Sequence, residues 1–367
     1  YIYLNTGNYD QAIEEFQTVI NRYPGTEWAA RAQYNIGDSY YNAGDYDQSV
    51  EAYKKVLDDY PRSNYIIEAI NGIQFAQLSA GEEDSSTEIL EDFLSDNPTS
   101  TTADRLRFRQ AENMMQSGDY QAAVSEFRQY LRITNNRELA PDAYINMADA
   151  YVRIDERESA IEALQTLLND FPNSDRVAAA LAELGRLQFE QGNFSESLQR
   201  YEQLIEADAR YRQEGTLGMG NANLAMGNIN QARQNFEQVL SIDENSDAAR
   251  VGLGKVLMND DRIEEAKRFF ALVAENSTTD VGAEAQYLLG ETYLNEGDNE
   301  SAREAFSRVQ VLFEAYDIWV AEAQYKIAEI HIREGRRGEA ISLLESITEQ
   351  YPGTSGAEKA QALLNRN

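Results

Sequence analysis

The chain has 367 residues, 42% of them apolar, a net charge of −31 and one histidine. Cysteine is absent, which excludes disulfides, a thiol nucleophile and thiolate metal sites. No run of about 18 apolar residues is present to span a membrane, and so acidic a field repels nucleic acid and anionic lipid.

In chain order, Tyr1 to Leu4 read as the last turn of a helix that starts upstream, and Gly7 as a turn. Asp10 to Asn21 follow as a helix stopped at Tyr23-Pro24-Gly25, because proline just past a helix end cannot continue it. The next unit is the clearest. A first helix, Ala30 to Ala43, carries Ala32, Ile36, Gly37 and Tyr40 on one stripe; Gly44-Asp45 breaks it; Tyr46 to Asp59 return; Tyr60-Pro61 ends the unit.

The return helix then recurs down the chain. A small residue stands at Ala12, Ser49, Ser86, Ala123, Ala160, Ser197, Ala232, Ala266, Ala302 and Ala340; the first five steps are 37 residues, the rest 35, 34, 36 and 38. Four residues on comes a large side chain (Phe16, Tyr53, Leu90, Phe127, Leu164, Tyr201, Phe236, Phe270, Phe306, Leu344), and three further on another, such as Val56 or Leu167. Offsets of four and three share one helix face. Five residues before each small residue stands a glycine, except at Asp155 and Asp261.

The predicted fold is therefore all-α: an α-solenoid of antiparallel helix pairs, since a lone hairpin cannot bury its own apolar face. Its divisions are a partial repeat 1–29, nine repeats at 30–66, 67–103, 104–140, 141–177, 178–212, 213–246, 247–282, 283–320 and 321–355, and a capping helix 356–367. Small residues let paired helices approach to roughly 8–10 Å, and Gly37, Gly185, Gly220, Gly254 and Gly290 are expected to do the same from the first helix. The unit 67–103 is degenerate, with Gln74, Gln77 and a Gly81-Glu82-Glu83 turn, and reads as a worn repeat or a hinge. The unit 104–140 ends in Asn135-Asn136-Arg137 without a proline. In the cap, Ala357, Ala360, Leu363 and Leu364 face back, Glu358, Lys359 and Gln361 face water, and the C-terminus is expected near Asn367. Trp28, Tyr65, Tyr211 and Trp319 are placed two residues before a first helix, as staples onto the preceding repeat or as exposed aromatic contacts.

The stretch Ala32-Gln33-Tyr34-Asn35-Ile36-Gly37-Asp38-Ser39-Tyr40-Tyr41-Asn42-Ala43-Gly44-Asp45-Tyr46, continued by Ser49, Tyr53 and Pro61, resembles the tetratricopeptide repeat consensus. The resemblance covers essentially the whole chain and implies helix pairs stacked in a right-handed superhelix, with first helices lining a concave groove. The usual repeat is about 34 residues; the three extra residues follow the Tyr-Pro, as in Pro61-Arg62-Ser63-Asn64. Junctions such as Tyr23-Pro24-Gly25-Thr26, Phe171-Pro172-Asn173-Ser174 and Tyr351-Pro352-Gly353-Thr354 are similar to those of bacterial envelope members, periplasmic or outer-membrane-associated.

No catalytic constellation emerges, and no cofactor or metal is implied. His331 stands where Tyr40, Tyr151 and Tyr293 stand and reads as a core substitute. Asp243-Glu244-Asn245-Ser246-Asp247 starts like a calcium loop but lacks its later Gly and Glu, and reads as a capping turn. The expected function is a non-enzymatic scaffold for a protein or peptide segment, without nucleic acid; the alternatives are a stacking component of a larger assembly or an accessory region of an enzyme. One groove position runs Asp38, Phe75, Glu112, Asp149, Arg186, Asn221, Lys255, Glu291, Glu329, beside an apolar strip that includes Tyr41, Phe189 and Met258. Arg186 and Lys255 are its only cations; they hold an acidic group or C-terminal carboxylate, or they neutralise neighbours such as Asp149, Glu190 and Glu291.

Overall fold

The computed structural model describes residues 2–81, 86–98, 100–134 and 137–366. Tyr1, Glu82-Glu83, Asn135-Asn136, Asn367 and the side chain of Ser86 lie outside it. The described residues form twenty-one α-helices and one 3-10 turn, with no strand among them. They divide into two compact units, Tyr1–Ala180 and Leu181–Asn367.

The first unit holds α1 (Ile2–Asn5), α2 (Tyr9–Arg22), α3 (Glu27–Ala43), α4 (Tyr46–Asp59), α5 (Ile66–Ala80), α6 (Ser86–Asp96), α7 (Thr101–Ser117), α8 (Tyr120–Ile133), α9 (Ala140–Arg153) and α10 (Arg157–Asp170). Helix α11 (Val177–Glu190) begins there and ends in the second unit. The second unit continues with α12 (Phe194–Ala207), the 3-10 turn Ala209–Tyr211, α13 (Arg212–Ala225), α14 (Ile229–Ile242), α15 (Asp247–Asn259), α16 (Ile263–Asn276), α17 (Asp280–Asn295), α18 (Asn299–Leu312), α19 (Asp317–Arg333), α20 (Arg337–Gln350) and α21 (Ser355–Leu364). Within each unit a first helix packs on its own return helix and on the next first helix, as α3 does on α4 and α5, and α17 on α18 and α19.

The turn inside each pair has one backbone requirement. Gly44 closes α3 at φ 80°, and its N–H bonds the Tyr40 and Tyr41 carbonyls. All eight glycines of this slot have positive φ, and so do Asp155 (62°) and Asp261 (61°). Left-handed backbone is what ends the first helix and reverses the chain. Aspartate tolerates it at a cost that glycine does not carry.

The nine described small residues of the return helices are all buried, and the large residues after them fill the joint. The serines among them also bond across it: Ser49 Oγ donates to the Gly37 carbonyl at 3.0 Å, and Ser197 Oγ to the Gly185 carbonyl at 2.7 Å. The first-helix glycines act differently from the expectation. They make room for a ring, which slides between two successive first helices. A Cβ on Gly37 or Gly72 would lie 2.4 or 2.6 Å from the Tyr53 ring. Gly218 and Gly185 flank Tyr201 in the same way, and Gly220 and Gly252 flank Phe236.

The long junctions are held by side chains. Thr26 caps α3 through the Ala29 N–H and donates to the Tyr23 carbonyl at 2.6 Å; Thr354 caps α21 and donates to the Tyr351 carbonyl at 2.8 Å. The extra residues after Pro61 are clamped by Glu27, whose Oε1 accepts from Ser63 Oγ at 3.1 Å and from the Asn64 N–H at 3.0 Å. An acid near the start of a first helix thus holds the start of the next one. Asp142 accepts from Arg176, Asp280 from Trp319, and Glu322 from Lys359.

Two expectations are corrected. Trp28 and Trp319 lie inside first helices, because α3, capped by Thr26, starts at Glu27 and α19 starts at Asp317, ahead of the apolar stripe. Trp319 packs against Tyr287 with ring centres 5.5 Å apart and planes tilted by 44°, whereas Trp28 is 65% exposed. Lys359 does not simply face water: its Nζ donates to both carboxylate oxygens of Glu322 at 2.7 and 2.8 Å. In the degenerate unit α6 has 11 residues where α4 has 14, and Gln77 is buried with its Oε1 unbonded.

Candidate partner-binding face

The groove positions all fall on first helices: Asp38 and Tyr41 on α3, Glu112 on α7, Asp149 on α9, Arg186 and Phe189 on α11, Asn221 on α13, Lys255 and Met258 on α15, Glu291 on α17, Glu329 on α19. Successive first helices repeat the same local pattern, so the same position of each presents outward.

In the first unit, Asp38 and Tyr41 come together with Tyr34, Tyr53, Glu68 and Phe75 around a cavity of about 500 Å³. Tyr53 Oη donates to Asp38 Oδ1 at 2.6 Å. Burial pushes the Asp38 carboxyl above its ordinary value, while hydrogen bonds from Tyr53 and Tyr34 pull it back. Burial and the Asp38 charge push the Tyr34 phenol up to about 12. Glu112 sits by a second cavity of about 360 Å³ with Gln74, Arg109 and Asn113, and burial raises its carboxyl against the pull of Arg109. Asp149 accepts from Arg153 on its own helix at 3.4 Å.

In the second unit the two cations already hold carboxylates. Arg186 pairs with Glu183 and Glu190 on α11, which raises the guanidinium further. Lys255 pairs with Glu284 on α17. The neighbours read from sequence are thus only partly the ones used. Glu190 serves Arg186, but Asp149 pairs with Arg153, and Glu291 is taken by Lys326 at 3.3 Å. Lys326 also reaches Glu329 at 3.6 Å. Tyr287 donates to Glu291 at 3.2 Å and Tyr325 to Glu329 at 3.3 Å, each from four residues earlier. Phe189 packs on Phe194, ring centres 5.2 Å apart, and Met258 lies against the core. Asn221 is half-buried.

Sequence reasoning missed Tyr34, Glu68, Lys326 and the hydroxyl of Tyr53. One signal was available for the last. Tyr53 and Tyr201 are tyrosines at a ring slot that holds phenylalanine in five other repeats, and only a tyrosine carries a hydroxyl through to the first-helix face. The spacing of Tyr287 from Glu291 and of Tyr325 from Glu329 was another.

Helix pairs with a fixed joint, repeated through both units, define an α-solenoid of the tetratricopeptide class. Models described as tetratricopeptide repeat match residues 1–62, 114–184, 223–281, 283–310 and 322–354. The chain belongs to the tetratricopeptide repeat family. Solved structures with this fold include a tetratricopeptide repeat protein from Parabacteroides merdae, 17% identical, covering 71% of this chain and 97% of that one with a TM-score of 0.61. They also include the human IFIT1 dimer with m7Gppp-AAAA, 12% identical, covering 98% and 85% with a TM-score of 0.52. PilF of Pseudomonas aeruginosa is 20% identical over 60% of this chain and 98% of its own, with a TM-score of 0.45. No curated protein sequence matches the chain.

Proposed function

We propose that the chain is a non-enzymatic scaffold that holds a segment of a partner protein against its first-helix faces, in a bacterial cell envelope. The observation that carries the reading is on α5. Phe75 and Leu78 are 62% and 59% exposed on a first helix, and Phe75 lines the cavity of the first unit. Exposed apolar side chains next to a concave, partly polar site suit an extended segment. The envelope location is supported by the Tyr-Pro-X-Ser/Thr junctions alone.

On this reading Arg186 and Lys255 set the polarity of the groove. Both are about half exposed in side chain or less; Arg186 holds two carboxylates and Lys255 one, which an incoming acidic group would share or displace. The test is Arg186→Gln with Lys255→Gln, measured against the protein that co-purifies with the wild type. At unchanged melting temperature, affinity is expected to fall at least tenfold; unchanged affinity would remove this role from both residues. Cell fractionation tests the location, and recovery in the cytosol would overturn it.

A further inference from the structure

The cavity between α3 and α5 has a distinctive chemistry. Its walls are the rings of Tyr34, Tyr41, Tyr53 and Phe75, and its charged groups are Asp38 and Glu68. Among the described residues no lysine or arginine lines it; Arg31, the one basic residue of α3, lies seven positions before Asp38 and outside the lining.

The joint explains how this came about. Gly37 and Gly72 leave a slot through which the Tyr53 ring passes, and its hydroxyl emerges on the first-helix side to bond Asp38 at 2.6 Å. Two phenols hold that carboxylate, but neither brings positive charge. A partly buried carboxylate without a cation is an incomplete arrangement, because its desolvation is offset only by neutral donors. A second carboxylate, Glu68, shares the cavity and makes the deficit larger. At the rim, Phe75 presents an exposed ring that the core does not use.

An occupant that answers both features has a positive charge and a flat, weakly hydrated body. A guanidinium meets both: it stacks on aromatic faces, offers N–H edges to carboxylates, and loses little hydration on entry. A metal ion fits poorly, since no cluster of three or more ligating side chains exists among the described residues. The volume of about 500 Å³ admits a long side chain and not a folded element.

We infer that this cavity seats an arginine side chain of a partner protein segment, an inference that rests on the scaffold reading and supplies recognition chemistry to its first unit. Ring stacking between Tyr41 and Phe75 would hold the guanidinium plane, with Asp38 and Glu68 at its N–H edge.

The test uses the full chain with 13C-labelled tyrosine rings, titrated with N-acetyl-argininamide and with its neutral isostere N-acetyl-citrullinamide. Saturable shifts of the Tyr34, Tyr41 and Tyr53 signals are expected with the arginine compound, with at least tenfold weaker binding of the citrulline compound. Asp38→Asn should weaken the arginine compound at least tenfold. Phe75→Ala, which removes an exposed ring and leaves the joint intact, should weaken it several-fold. Equal binding of the two compounds, wild-type affinity in both variants, or no saturable shift in the wild type would each overturn the arginine seat. None of these results depends on a partner protein, so failure here is separate from failure of the co-purification experiment.

Discussion

The ring of Tyr53 occupies the space that a side chain on Gly37 would need. A Cβ built there lies 2.4 Å from both Cδ1 and Cε1, well inside contact distance. The two residues are 16 apart in sequence and on different helices, yet a side chain on the first and the ring of the second compete for one space. Ser49 tightens the same joint from the return helix, where its hydroxyl reaches the Gly37 carbonyl.

Gly37→Ala should therefore destabilise the first unit by about 1–3 kcal/mol, the usual cost of overpacking. In a Tyr53→Leu background, with the ring gone, the same change should cost markedly less, giving a coupling of about 0.5–3 kcal/mol. Urea titration of the four proteins of the cycle measures it, with hydrogen exchange of α3 and α4 to locate the loss. Additive effects would mean that the ring does not set the glycine requirement.

Asp261 turns the chain at φ 61° where eight repeats use glycine. Its side chain is exposed. Asp261→Gly should raise stability by about 0.5–1 kcal/mol through relief of the left-handed backbone. Gly118→Ala, at φ 81°, should lower it by about 1 kcal/mol. Opposite signs in thermal unfolding are the expected result.

Glu322 keeps 9% of its side chain exposed and depends on Lys359 for its charge partner. Lys359→Met should cost about 1–3 kcal/mol, less than a fully buried pair because the lysine is half exposed. Adding Glu322→Gln should recover a large part of it, since the orphaned charge is then gone. The melting temperatures of the two single variants and the double variant decide the point.

Burial, aided by the Arg336 charge, holds the His331 imidazole below its ordinary value, against the opposing pull of Glu339. The folded state thus binds the proton less well than the unfolded chain does. Stability from the neutral ring is complete above the unfolded value of about 6.5 and is lost as pH falls through the lower folded value. His331→Tyr installs the residue that Tyr40, Tyr151 and Tyr293 supply in that slot. The melting temperature of the variant relative to wild type should rise as pH is lowered from about 7.5 to about 5; a constant difference would contradict this.

Much of the architecture is legible in the chain because its determinants are local. A small residue, then a large one four on and another three further, makes one helix face whatever surrounds it. Tyr46–Asp59 appears as a helix with the bounds read from the sequence. The slot filled by Gly44, Asp155 and Asp261 needs left-handed backbone for the same local reason, and Thr26 and Thr354 cap helices that begin within three residues of them. Where a first helix starts was less legible. The apolar stripe marks the buried face, while the cap marks the first hydrogen bond, and at Trp28 the two differ.

By itself the sequence determined the helix, the turn and the repeat, which depend on backbone geometry over a few residues. Only the tertiary structure decided what meets across repeats. It put Gly72 opposite Gly37 around one ring, gave Lys255 to Glu284 and Glu291 to Lys326, and covered Trp319 with Tyr287 while leaving Trp28 open. It also gathered Asp38, Glu68 and four aromatic rings around one cavity. Those pairings depend on the register and separation of helices some 30 to 40 residues apart, and such distances are set by the summed packing of every joint between them rather than by any one motif.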